Sequence, residues 1–193
     1  MKTYVVRGVP TAATECNKAA FNPTNLQWLR RGAFWVATVL SAWEQIAGSF
    51  WFLLQIDYVR SLFTHLHLPF YMLPILGIWR GLFGVALLAP GFPRLKEWAY
   101  AGAFFEYSGA VASHVLVGDG ADRWKVPAAF GLISLVSWAL RPAGWRLDSR
   151  VGSPAPSARA WTVSIAATIV LLVLGYFSER FAPPPYPARP LGS

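Results

Sequence analysis

Residues 33–54 read AFWVATVLSAWEQIAGSFWFLL. The only ionisable side chain in this run is Glu44, at its centre. About 20 helical residues, rising 1.5 Å each, cross the roughly 30 Å hydrocarbon core of a bilayer. The stretch therefore has the length and greasiness of a membrane span, and it holds a carboxylate at the depth where charge is most costly. Four more apolar runs follow, at 70–88, 98–117, 126–140 and 161–177. The fourth is short but flanked by Trp. The fifth contains SIAATIVLLVLGYF without a charge. None alternates apolar and polar residues as barrel strands do, and an open sheet cannot sit in lipid. The expected fold is all-α: a polytopic four-helix transmembrane bundle plus a fifth, C-terminal transmembrane helix.

Composition narrows the function classes. The chain of 193 residues is 55% hydrophobic and 13% charged, about half the charge of an average soluble domain. A water-soluble fold of this size cannot hide so much apolar surface. Disorder needs the opposite composition. A single cysteine, Cys16, excludes a disulfide scaffold and a paired-thiol relay. No Walker loop, GxGxxG turn or GxSxG elbow is present. No secretory signal is expected in the first 30 residues, which lack an apolar core before Arg31.

The expected organisation is a cytoplasmic tail at 1–30, a four-helix membrane bundle at 31–140, a basic linker at 141–160, the extra helix at 161–177 and a Pro-rich tail at 178–193. Charge sets the expected orientation. With the N-terminus in the cytoplasm, eleven Lys or Arg residues fall inside and five outside, with Arg80 left in the membrane. Lys/Arg-rich loops stay cytoplasmic. The net charge of +8 then reflects attraction to anionic headgroups in the lipid bilayer, and no nucleic acid partner is expected. Trp28, Trp98, Trp124, Trp138 and Trp161 fit an interfacial belt.

Three ionisable residues fall near the centres of three runs: Glu44, Arg80 and Glu106. A charge at that depth costs at least about 2.5–3.5 kcal/mol, so each needs a partner. Each lies in a stripe of small residues at helical spacing: Ala37, Ser41, Glu44, Gly48; then Gly77, Arg80, Gly81, Gly84; then Gly102, Glu106, Gly109, Ser113. Small residues mark close helix–helix faces in membranes. A buried Glu/Arg/Glu cluster follows. Two readings stay open: Arg80 bridges the carboxylates and locks the bundle, or the surplus carboxylate holds or moves a proton or binds a polar ligand head.

His114 precedes the turn Gly118-Asp119-Gly120, and the first outer loop carries His65 and His67 with Asp57. These groups could converge on the outer face, with Asp119 beside them. No metal site is expected, because His-x-His needs an extended backbone to aim both rings one way. His114 is read either as a hydrogen-bonding partner of the helix-end turn or as a proton relay.

The stretch LHLPFYMLPILGIWRGLFGVALLAPGFPRLKEWAYAGAFFEYSGAVASHVLVGDG, together with LSAWEQIAGSFWFL before it, resembles the DoxX-like family of small bacterial membrane proteins. The most specific parts are Pro69, Leu76 and Gly77, then Lys96 to Gly102, then Ser113, His114, Gly118 and Asp119. The resemblance covers roughly residues 33–140 and implies a four-helix membrane bundle in the bacterial inner membrane. The family takes its name from the small membrane subunit of a thiosulfate:quinone oxidoreductase. The resemblance thus implies a membrane subunit or accessory of a redox system, with a redox partner subunit and quinone as the cofactor to test. It carries no catalytic residue onto this chain, which also lacks the cysteines expected for direct sulfur chemistry. A proton-coupled small-solute transporter and a structural protein without turnover are the competing readings.

Overall fold

The computed structural model describes residues 23–142, 146 and 155–186. Cys16 and much of the two tails and the linker lie outside the described residues. Six α-helices are present among the described residues: α1 (Pro23–Leu53), α2 (Asp57–His65), α3 (Met72–Leu88), α4 (Pro93–Leu116), α5 (Ala121–Leu140) and α6 (Ala158–Phe177). A 3-10 turn, Ser178–Phe181, continues α6. No strand occurs among the described residues.

Each of the five apolar runs coincides with a long helix, α1, α3, α4, α5 or α6, to within two residues at its ends or wholly inside it. The short helix α2 corrects the expectation of a loop before α3. It places Val59 and Phe63 four residues apart on one face, where both pack with Leu73. Asp57 in its first turn and His65 in its last suit the helix dipole.

Helix α1 packs against α3 and α5, α3 packs against α4, and α4 packs against α5, which closes a four-membered ring. Helix α6 lies outside it, on α1 and α3. Ser164 Oγ donates to the Leu88 carbonyl at 2.6 Å, and Trp51 Nε1 donates to Ser178 Oγ at 2.8 Å. These bonds tie both ends of α6 to the bundle.

The side chains are distributed as in lipid, not as in water. Thr38, Ser41, Gln45, Ser134 and Ser137 are buried, whereas Leu40, Leu82, Phe105, Leu132 and Ile169 are exposed. The buried hydroxyls satisfy one another. Ser137 Oγ lies 2.7 Å from both Thr38 Oγ1 and the Tyr100 hydroxyl, and Ser134 donates to Ser41 at 3.1 Å. Ala158–Phe181, with a mean hydropathy of 2.0 in its most apolar window, is long and apolar enough to cross a membrane. It is the only such helix among the described residues. Helix α3 is apolar but shorter. The polar and charged residues that the other long helices bury lower their hydropathy.

Two charges near helix ends, Lys96 and Arg141, are buried. Lys96 Nζ donates to the carbonyls of Ala86 (3.1 Å) and Leu87 (2.7 Å), capping the end of α3. Arg141 donates to Glu97 Oε1 at 2.8 Å, and its guanidinium lies over the Tyr100 ring.

The small-residue stripes are right on α1 and α3 and half right on α4. Gly102 packs against Phe83, but Gly109 has nothing near it and Ser113 bonds only back to its own helix. The buried face of α4 is Lys96, Ala99, Tyr100, Ala103, Tyr107 and His114. Gly84 shows why α1 and α3 need small residues. A Cβ there would sit 2.5 Å from Ile46 Cγ1 and 3.1 Å from the Ala42 carbonyl oxygen. Gly84→Ala is expected to destabilise the protein by about 1–3 kcal/mol. Gly109→Ala should be neutral or stabilising by up to about 1 kcal/mol through helix propensity. Thermal unfolding of both variants in one detergent checks the pair; equal effects would contradict this packing.

Candidate functional site

Three helices deliver the three mid-run charges to one point. Arg80, from the middle of α3, donates through Nη2 to Glu44 Oε1 on α1 and through Nη1 to Glu106 Oε1 on α4. Nη2 also reaches the Glu44 backbone carbonyl at 3.3 Å. The guanidinium lies 5.2 Å from the centre of the Phe52 ring. It also rests on Gly48, where a Cβ would come within 2.3 Å of Nη2. The helix one stripe thus leaves the space that Arg80 fills.

Two neutral neighbours complete the cluster, and sequence reasoning missed both. The Tyr107 hydroxyl donates to Glu44 Oε2 across the bundle. Gln45 Nε2 lies 3.3 Å from Glu106 Oε2 and 3.3 Å from the Tyr107 hydroxyl. Each adjoins a carboxylate in the chain, in Glu44-Gln45 and Glu106-Tyr107. Buried polar residues beside a mid-depth charge were the available signal.

Side-chain exposure is 8% for Arg80, 14% for Glu106 and 22% for Glu44, so Glu44 is the most open member. Two carboxylates face one guanidinium. The site therefore retains a proton or carries a net negative charge. Arg80 Nε and Gln45 Oε1 are buried with no hydrogen-bond partner. The arrangement can lock three helices, hold a proton, and offer donors and acceptors to a small polar group reaching Glu44.

The histidines form a separate centre at one end of the bundle. Asp119 lies 2.8 Å through each oxygen from His65 Nε2, and 2.6 Å through Oδ2 from His114 Nδ1. The Tyr186 ring centre lies 5.2 Å from that of His65 and 6.5 Å from that of His114. His67 is exposed, at a left-handed φ of 56°, and Asp57 is exposed too. Of the histidines expected to converge, His65 and His114 meet on Asp119, whereas His67 and Asp57 stay outside the centre. Burial favours the neutral form of the Asp119 carboxyl, but the hydrogen bonds to His114 and His65 outweigh it and hold the group below its ordinary range.

The model of the DoxX-like family matches residues 36–137. The chain belongs to the DoxX-like family. That membership, with the apolar exterior and the apolar α6, makes this DoxX-like chain a membrane protein. The matched region contains both polar centres described above. No curated protein and no solved structure matches the chain.

Removing Arg80 strands two carboxylates. Arg80→Leu is expected to cost about 3–5 kcal/mol, the usual penalty for breaking a buried pair. Adding Glu44→Gln and Glu106→Gln should recover much of that loss. Melting temperatures of the single and triple variants decide; a triple variant no more stable than the single one contradicts the clasp.

Asp119 generates a second expectation. Its folded carboxyl titrates below the unfolded value of about 3.9. Its contribution to stability is then complete above about pH 4 and is lost as pH falls through the lower folded value. Asp119→Asn should flatten this acid limb. Parallel melting curves for the variant and the natural chain between about pH 5 and pH 3 would show that Asp119 makes no such contribution.

Proposed function

We propose that this protein crosses the bacterial inner membrane five times, with its N-terminus in the cytoplasm. In this reading α1, α3, α4, α5 and α6 all span. Support comes from the apolar side chains exposed along each of them, from the exposed Trp28, Trp98, Trp138 and Trp161 near helix ends, and from the excess of Lys and Arg at one side. The chain serves as a membrane subunit or accessory of a quinone-linked redox system, and a partner chain supplies the electrons.

One observation carries the site assignment. Glu44, the most open member of a cluster with a surplus carboxylate, is held by donors from two other helices. Quinone reduction consumes protons together with electrons. A carboxyl at mid-depth, fixed by Arg80 and Tyr107, suits proton exchange with a quinone oxygen and hydrogen bonding to it. In this role Glu44 is the proton-holding group. Arg80, Glu106, Gln45 and Tyr107 orient it and balance its charge.

A second reading has its own support. Arg80 reaches both carboxylates and fills the space over Gly48, which suits a packing clasp in a protein without turnover.

Titrating the purified full chain with a short-chain ubiquinone or menaquinone analogue separates the two. A bound quinone raises the melting temperature with concentration by mass action. Glu44→Gln should weaken that response at least about tenfold, a loss of roughly 1.4 kcal/mol in binding. A natural chain whose melting temperature ignores both analogues rejects the quinone assignment and leaves the clasp.

A further inference from the structure

The end of the bundle where α2, the α4–α5 turn and the segment after α6 meet holds a second constellation. One ligand atom from each of His65, His114 and Asp119 lies within 4.8 Å of the others, and His65 Nε2 and His114 Nδ1 are the ring nitrogens that face the carboxylate. They come from the last turn of α2, the last turn of α4 and the turn that follows α4. Their side chains are 10%, 5% and 9% exposed.

The trio is held from several directions. Val59 and Phe63 anchor α2 against Leu73 on α3. Gly118, at φ 80°, turns the chain so that Asp119 folds back over the end of α4. The Asp119 backbone N–H donates to the His114 carbonyl at 3.0 Å. Tyr186 lies over both imidazoles, and its own N–H donates to Ser61 Oγ at 2.9 Å. The arrangement therefore exists before any ligand arrives.

We infer that His65, His114 and Asp119 form a binding site for one divalent transition metal ion of the zinc class. Two imidazole nitrogens and one carboxylate oxygen are a borderline donor set, suited to Zn2+ or Cu2+ and poorly matched to Mg2+ or Ca2+, which prefer oxygen. Zinc takes nitrogen and oxygen ligands at about 2.0–2.2 Å in a tetrahedron, so its ligand atoms stand roughly 3.3 Å apart. The hydrogen-bonded contacts of 2.6–2.8 Å to Asp119 bracket that spacing from below, and the 4.8 Å limit brackets it from above. Small side-chain rotations admit the ion. The metal takes the lone pairs that protons otherwise hold, so acid competes with it. Three protein ligands leave a fourth position for water. The site is separate from the Glu44–Arg80–Glu106 cluster and does not depend on the quinone assignment.

The test uses the full chain in detergent, stripped with a chelator and titrated with ZnCl2 by calorimetry, with metal analysis after desalting. The expected result is about one zinc retained per chain and a higher melting temperature. His65→Ala and His114→Ala should each weaken binding at least about tenfold, whereas His67→Ala should leave it unchanged. Cobalt(II) in place of zinc should give the intense visible bands of a four-coordinate ion, a readout that requires no variant to fold. Helical natural chain that retains no zinc overturns the inference. So does equal retention by the His65→Ala/His114→Ala double variant, or a weak six-coordinate cobalt spectrum.

Discussion

A guanidinium inside a greasy bundle is tolerable only where carboxylates reach it, and Arg80 takes one from each of two other helices. The side chain lies on α3, with one partner on α1 and the other on α4. Rotating any of the three helices by one residue, about 100°, would withdraw a charge from the cluster. The pairing therefore fixes helix rotation as well as contact. The backbone accommodates it through Gly48, whose missing Cβ leaves the volume that the guanidinium occupies. Gly84, one turn further along α3, lets the same two helices stay close against Ile46. Electrostatic need and steric permission are thus written into adjacent turns of the same helix pair.

The hydroxyls follow the same logic at lower stakes. A buried polar group must find its partner inside the protein, and Thr38, Ser137 and Tyr100 meet one another in the core. Apolar side chains occupy the outside, the distribution that a lipid solvent favours. Hydropathy averaged over a helix is lowered by polar residues that are buried, as α1 buries Thr38, Ser41 and Gln45 and α4 buries Lys96 and His114. This explains why α6, which lies outside the ring and buries little polar surface, is the helix that most resembles a membrane span by composition.

How much of this was legible depended on the type of constraint. Glu44, Arg80 and Glu106 stood out because a charge inside an apolar run must find a partner, whatever the fold. The five long helices were legible from run length. Helix α2 was not, because nine residues give too little periodicity to separate a short amphipathic helix from a loop. Gln45 and Tyr107 were missed because a neutral polar residue carries no obligatory partner in the sequence. The α4 stripe misled at Gly109 and Ser113, since small residues are permissive and do not by themselves set the buried face. Lys96 and Arg141 counted only toward the charge at one side, and their burial was not legible; both turn back onto helix termini or ring faces that long side chains can reach. Of the three histidines read as converging, His67 does not join, because the left-handed backbone at His67 follows the end of α2. His65 and His114 meet on Asp119, 54 and 5 positions away in the chain.

These features converge on α4. Along its inner face stand Lys96 against the end of α3, Tyr100 against Ser137 on α5, Tyr107 and Glu106 against α1 and α3, and His114 beside Asp119 near α2. Eighteen positions separate the first from the last, roughly 27 Å of helix and most of a bilayer core. Each level draws its partner from a different element, so no small slide or rotation of α4 can exchange one partner for another. Buried Ala99 and Ala103 lie between the first levels, which makes them separate fastenings and not a continuous hydrogen-bonded chain. The polar residues that weaken α4 as a hydropathy signal are therefore the ones that fix its place. The same rigidity holds Glu44 and the His65–His114–Asp119 trio in geometries that flexible loops could not maintain.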